Sequence, residues 1–408
     1  MGGFRWHPSA RLFGPDGAEQ RRVSLGDAVL EERPGPLALA GAMARAEAGL
    51  CFRIGAPGLP IAERGARAPS PFRRPPPEYL GQDEAGGWFE TLTSGSLGVP
   101  RRIVRSQASW AASFAVNAGL FGIGPGGRVA VPGGLASSLA LYGAVEGLCL
   151  GAEVHLLDGL RPDRQRAALA ARGVAVVYAT PAQLRLMVEA GGPVLGLRRI
   201  VVGGAKLDGG LRAALREMAP GAVVTEFYGA AEASFIAVAD EATPEGSVGR
   251  AYPGVEIEAP EGEPGEIWLR SPYVFAGYGG EVGGARWRDG WLSVGEWGRL
   301  SGGYLWLAGR EGRMVTVADA NVFPEEIEGF LMGLPGVRRA AVLARPDGLR
   351  GSVLVAVLMG DAARESEVLR AVRAELGATK APRRVVWVTD WPVLASGKTD
   401  LRALEAQL

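Results

Sequence analysis

The sequence predicts an α/β protein: a large N-terminal domain of parallel βαβ layers with a small antiparallel subdomain, then a small α+β C-terminal domain. Three observations predict it. From about Trp88 to Arg250, short β-branched runs alternate with helical patterns, as parallel strands joined by helices require. From Arg250 to Leu307, strand-like runs follow one another closely, which suits antiparallel pairing. After Arg313 a compact set of strands and helices closes the 408-residue chain. The boundaries follow. Residues 1–311 form the large domain: a shortened irregular and helical part at 1–90, an α/β core at 91–249 and the antiparallel subdomain at 250–311. Residues 313–408 form the C-terminal domain.

The elements are read in order. Residues 1–90 carry no sustained period, and "GAPGLPIAERGARAPSPFRRPPPEYLG" is a Pro/Gly/Arg loop that cannot hold a helix. "RVAVPG", "AEVHLL", "VAVVYA", "RRIVVGG" and "AVVTEFYG" read as parallel strands, with helices such as "SSLALYGAVEGLCLG" and "LDGGLRAALREM" between them. "VEIEAP", "GEIWLRS" and "GYLWLAG" read as antiparallel strands. The C-terminal unit opens with a helix at Pro324, proline being at home in a first turn. Strands "AAVLAR" and "SVLVAVLMG", helix "ESEVLRAVRAEL", strand "RVVWV" and a last helix follow. No internal repeat is visible.

Composition excludes several classes. Formal net charge is zero and no long run of one sign occurs, so nucleic acid is not an expected partner. The two cysteines, Cys51 and Cys149, sit in apolar surroundings; this fits a reducing compartment, and a cytoplasmic location is expected. The opening "MGGFRWHPSARLFG" lacks the apolar core of a signal peptide. The most apolar stretch, Leu135 to Leu157, carries Glu146 and Glu153, so it reads as buried helix then strand, not a membrane span. His7 in the tail and a core-like His155 are too few for Ser-His-Asp catalysis or a histidine metal site.

Two generic motifs fail on context. "GIGPGG" (Gly122 to Gly127) precedes a strand, whereas a dinucleotide loop follows one; it reads as a helix-to-strand turn. "GKT" at 397–399 has Pro392 where a P-loop needs glycine.

The informative stretch is "TLTSGSLGVPR", Thr91 to Arg101. Its glycines let amide N–H groups converge into an anion nest, its hydroxyls add donors, and Arg101 adds a charge-assisted one. Downstream, "EFYGAAEAS" puts Tyr228 and Glu232 around a small-residue turn after a strand. "DGWLSVGEWGRL" puts Glu296 in a turn, and "YLWLAGREGRMV" puts Arg310 just beyond a strand. "NVFPEEIE" and "LASGKTDLRAL" come after that. Of 44 basic residues only Lys206, Lys380 and Lys398 are lysines, and Lys398 lies in the last motif. A compact ammonium on a flexible stem fits where a planar guanidinium does not.

These six stretches, in this order over residues 91 to 404, resemble the acyl-adenylate-forming superfamily: acyl- and aryl-CoA ligases, peptide-synthetase adenylation domains and luciferases. The resemblance implies ATP, Mg²⁺ and coenzyme A as cofactors, and a small carboxylic acid as substrate. It implies that Thr93, Ser94, Gly95, Ser96 and Gly98 hold the β- and γ-phosphates, with Arg101 beside them. Glu232 would ligate Mg²⁺. Tyr228 would stack on adenine, with Gly229, Ala231, Gly204 and Ala205 also against the nucleotide. Glu296, helped by Arg310, would bind the ribose. Lys398 would reach the carboxylate and the α-phosphate side at once. Catalysis would rest on Lys398, Glu232 and Arg101. The C-terminal domain would be a mobile lid hinged at Gly312, rotating between adenylation and thioester formation.

The pattern departs from the family in places. Ala231 replaces a threonine, Glu296 an aspartate, and Ala318 and Asp319 a glycine pair near the expected pantetheine entry. Two readings therefore stand beside the acid–CoA ligase: a stand-alone adenylating enzyme that loads a carrier protein, and a non-catalytic nucleotide-binding relative. The acid is expected near "GGAKL" (Gly203 to Leu207), "FYGAA" and "LASSLALYG". There Ser137, Ser138 and Tyr142 would meet a polar group on a ring, and Lys206 would be solvated beside Asp208. An aryl or cinnamic-type acid such as 4-coumarate is the expected substrate; medium-chain acids and a succinylbenzoate-type dicarboxylate are alternatives. A monomer or homodimer is expected.

Overall fold

The computed structural model describes residues 3–28, 34–55, 87–93, 101–279, 283–318, 320–348, 351–394 and 399–408. Its centre is a 9-stranded sheet in the order Arg250–Ala251, Ser234–Val238, Val223–Ala230, Arg199–Val202, Val176–Ala179, Arg128–Val131, Glu153–Leu156, Arg11–Phe13, Glu19–Gln20. The strands from Val223–Ala230 through Arg11–Phe13 run parallel, and antiparallel strands close both edges. Parallel strands are buried on both faces, and alternate residues enter different cores. Val129, Val131, Val176, Tyr178 and Val201 pack with helices Gln107–Phe121 and Ser138–Leu150. Ala130, Val177, Ala179, Ile200 and Val202 pack with helices Pro162–Ala171, Pro181–Glu189 and Gly209–Met218.

A second sheet, in the order Gly277–Tyr278, Arg101–Ser106, Trp88–Thr93, Phe52–Arg53, lies beside the first. Small antiparallel sheets fill the region from Glu256 to Arg310, as the crowded strand runs predict. The C-terminal unit is a three-stranded sheet, Val337–Asp347, Gly351–Gly360 and Arg384–Trp387, packed on helices Pro324–Met332 and Glu365–Lys380. Pro324 opens its helix at the first position. Gly312 sits in the single 3-10 turn Glu311–Arg313 that enters this unit.

Of the irregular and helical part expected before residue 90, the Pro/Gly/Arg stretch lies, from residue 56 to 81, outside the described residues, and the rest adds a strand and a helix whose positions the sequence did not mark. Arg11–Phe13 adds to the main sheet in parallel with Glu153–Leu156. Pro36–Glu47 is a helix, buried from Ala38 to Met43. A three-residue strand is too short to show alternation, and a helix buried all round has no polar stripe to mark its period. Many of the later elements fall where the sequence puts them, including the turn between Phe121 and Arg128 and the buried helix–strand pair around Glu146, but Arg310, expected just beyond a strand, ends one. No helix among the described residues is long and apolar enough to cross a membrane.

Candidate active site

The site lies beyond the C-terminal ends of the parallel strands, where open α/β sheets leave a crevice. Each loop there is set by a local device. The Thr180 capping box with Gln183 starts helix Pro181–Glu189 directly after strand Val176–Ala179. Asp208 caps helix Gly209–Met218 by accepting from Leu211 N at 2.9 Å, and it pairs with Arg185 at 2.5 Å. Gly204 bridges strand and helix with φ +88°, a conformation that suits glycine. Gly204 and Ala205 are exposed at this edge.

Strand Val223–Ala230 runs past the sheet and turns back through Ala231, Glu232 and Ala233 into Ser234–Val238. Glu232 thus stands half-buried at a hairpin tip. Its backbone oxygen accepts from Phe275 N at 2.7 Å, and its Oε1 accepts from the Tyr278 hydroxyl at 2.9 Å. Arg105, 0% exposed, donates to the Ala231 carbonyl at 2.5 Å and to the Tyr273 carbonyl. Burial depresses the Arg105 guanidinium to about 9, against the pull of the Glu232 charge.

Glu296 and Arg310 are partners across antiparallel strands Glu296–Ser301 and Tyr304–Arg310. The pair is direct: Arg310 Nε donates to Glu296 Oε1 at 2.7 Å. Glu296 therefore begins a strand rather than lying in a turn, because the Gly295 turn ends one residue earlier. Glu296 raises the Arg310 pKa above its ordinary value. Burial first, then the charges of Glu296 and Glu232, push the Tyr228 phenol well up, with Arg310 opposing. Two segments distant in sequence, one carrying Tyr228 and Glu232 and the other Glu296 and Arg310, thus share one electrostatic neighbourhood. Among the described residues the buried Tyr228 hydroxyl finds no hydrogen-bond partner.

Thr93 and Arg101 face each other across the last rung of strands Trp88–Thr93 and Arg101–Ser106. They are the stem of the expected phosphate loop, and Arg101 is exposed at its mouth. Ser94, Gly95, Ser96, Gly98, Lys398 and Asp319 lie outside the described residues.

Two substrate expectations change. Tyr142 is 4% exposed and belongs to the core: its hydroxyl meets Ser113 at 2.6 Å, Asn117 at 3.0 Å and Glu146 at 3.1 Å. Ser138 Oγ meets Thr91 Oγ1 at 2.7 Å. Lys206 is exposed as expected, but its Nζ donates to the Gly246 carbonyl at 3.3 Å, while Asp208 is taken by Arg185. His155 is a core residue, 4% exposed and stacked on Phe13 at 4.8 Å.

The sequence reading missed Arg105 and Tyr278. Arg105 had a signal: it occupies the inward phase of "RRIVRS" with Ile103. Tyr278, in "FAGYGG", had none beyond an aromatic among glycines.

The donor set fits the implied ligands. Among the described residues no group of three or more His, Cys, Asp or Glu side chains gathers to hold a metal. One carboxylate at a crevice suits Mg²⁺, which keeps waters and shares substrate phosphates. The pair of a buried Glu296 and an exposed Arg310 offers both an acceptor and donors to a ribose.

The fold is that of an α/β protein whose strand ends carry a half-buried carboxylate, Glu232, and an ion pair, Glu296–Arg310. The chain belongs to the AMP-binding enzyme family. The family's model matches residues 89–279, and the model of the AMP-binding enzyme C-terminal domain matches 326–398. The uncharacterized acyl–CoA ligase YhfT of Bacillus subtilis strain 168 is 34% identical over 324 residues, 76% of this chain and 66% of that protein. The 3-hydroxybenzoate–CoA ligase of Aromatoleum sp. strain CIB is 30% identical over 336 residues, 76% of this chain and 64% of that protein. Among solved structures, the amide bond synthetase McbA from Marinactinospora thermotolerans superposes with a TM-score of 0.68 at 30% identity, over 78% of this chain and 69% of that one. The chain spans about two thirds of the length of the curated relatives it matches.

Proposed function

We propose that this chain is an AMP-forming acid–CoA ligase. A carboxylate attacks the α-phosphate of ATP, giving an acyl-adenylate and pyrophosphate. The CoA thiol then takes the acyl group, and AMP leaves. One observation carries the reading: Tyr228, Glu232, Glu296 and Arg310 act on one another electrostatically, and Tyr278, bonded to Glu232, pairs with the strand that starts at Arg101.

The first step brings two anions together, so positioned cations and donors lower its barrier. Arg101 offers a guanidinium to the phosphates. Tyr228 offers a ring face to adenine. The Glu296–Arg310 pair holds the ribose hydroxyls and so fixes the α-phosphate. Glu232 offers a carboxylate oxygen to Mg²⁺. Bound there, Mg²⁺ supplies phosphate charge neutralisation. Lys398 supplies the point charge between carboxylate and phosphate.

The acid is read as an aryl or cinnamic-type acid, of which 4-coumarate is one. The similarity to an aryl–CoA ligase at 30% identity supports the aryl class. The similarity to an amide bond synthetase, also at 30%, favours a second reading in which an amine takes the acyl group.

The test is ATP-dependent pyrophosphate release over a panel of aryl, cinnamic, fatty and dicarboxylic acids, with CoA, with an amine, and with neither. Release with aryl acids, raised by CoA, is the expected result. Release raised only by amine would move the assignment to amide formation. No release with any acid, while ATP binds, would overturn both.

A further inference from the structure

Glu232 stands at the tip of a hairpin whose neighbours, Ala231 and Ala233, offer its carboxylate no polar support. A glutamate has three rotatable bonds and needs an outside contact to hold one orientation. That contact comes from another strand. Tyr278, in Gly277–Tyr278, donates its hydroxyl to Glu232 Oε1 at 2.9 Å.

We propose that Tyr278 is a positioning residue for Glu232: its hydroxyl occupies Oε1 and presents Oε2 to a divalent cation. This rests on the reading of Glu232 as the cation's ligand.

Three further features agree. The Tyr278 ring is wedged, with Phe275 edge-on at 5.0 Å and Gly283 pressed against its other side. A Cβ at Gly283 would overlap the ring, so residue 283 keeps the space that Tyr278 fills. The main chain around Glu232 is clamped by the same segment: Phe275 N binds the Glu232 carbonyl, and Arg105 ties the Ala231 carbonyl to that of Tyr273. Finally, Tyr278 pairs with Ile103 in the strand that starts at Arg101. The cation ligand and the phosphate-loop stem are therefore braced against one strand.

The test compares Tyr278→Phe, Glu232→Gln and a control, Tyr304→Phe, whose hydroxyl contacts only Ala242 O among the described residues. Two readouts are taken: Mn²⁺ binding with ATP but no acid, followed by the paramagnetic signal of free Mn²⁺, and the Mg²⁺ requirement of pyrophosphate release. Loss of a partner behind a metal ligand weakens metal binding by about 10- to 100-fold. Tyr278→Phe is expected to show a loss of about tenfold, with turnover recovering at high Mg²⁺, and Tyr304→Phe none. Gly283→Ala, checked for folding by its melting curve, is expected to weaken Mn²⁺ in the same direction. If Glu232→Gln weakens Mn²⁺ and Tyr278→Phe does not, the positioning role is overturned while the ligand stands. If Glu232→Gln itself binds Mn²⁺ like the wild type, the ligand assignment fails and takes this inference with it.

Discussion

Glu146 is fully buried in the core behind the site. It accepts from Tyr178, from Asn117 at 2.8 Å and from Tyr142 at 3.1 Å, yet burial still raises it from 4.5 to about 7. The linkage has a definite sign. The unfolded carboxyl ionises near 4.5 and the folded one near 7, so the unfolded state sheds its proton first. Stability from this group is full below pH 4.5 and is lost as pH rises to about 7. Glu146→Gln removes that slope. Denaturant unfolding at pH 5 and pH 8 should find the variant's pH dependence flatter, by on the order of 3 kcal/mol. At the crevice, Arg310→Met removes a charged donor, and the KM for ATP should rise about tenfold or more, read in initial rates. At this scale the sequence was informative where order mattered: Tyr228, Glu232, Glu296 and Arg310 are candidates because their motifs follow one another in register. It was silent on Tyr278, whose role exists only because a strand some 46 residues away is folded against Glu232.

At the scale of elements, two of the helices after the parallel strands, Pro181–Glu189 and Gly209–Met218, start at side-chain caps. Asp208 both caps Gly209–Met218 and pairs with Arg185 of the preceding helix. Asp208→Ala should lower stability by about 1–2 kcal/mol, measured by thermal or chemical unfolding, through the lost cap. Asp208→Asn, which keeps a capping oxygen, should recover most of it. The alternation of β-branched runs and helical patterns made these elements readable, because a strand buried on both faces is a continuous apolar run. The short strands Arg11–Phe13 and Glu19–Gln20 were not readable. Their pairing partners, not their own residues, make them strands.

For the whole molecule, the proposed two steps separate the domains' contributions. Lys398→Ala should slow adenylation by about 10²-fold or more, the scale of losing a transition-state donor. Transfer from a supplied acyl-adenylate to CoA should be spared, since that step does not use the lysine. Equal loss in both half-reactions would remove the role assigned to Lys398. Domain order was legible because the C-terminal unit has its own apolar runs and hence its own core. How the early segment joins the large domain was not, since a pairing across some 140 residues leaves no local trace.

That pairing bears on how the protein is made. Arg11–Phe13 is synthesised early, but its neighbour in the sheet, Glu153–Leu156, leaves the ribosome much later. Until then the early strand has no ladder to join. Such distant pairing slows folding and lengthens the time that unpaired backbone is open to strangers. Trimming the chain before Glu19–Gln20 would leave Glu153–Leu156 as a naked rim, ready to zip onto another copy. Arg11–Phe13, with Glu19–Gln20 beyond it, thus covers the rim that Glu153–Leu156 would otherwise present.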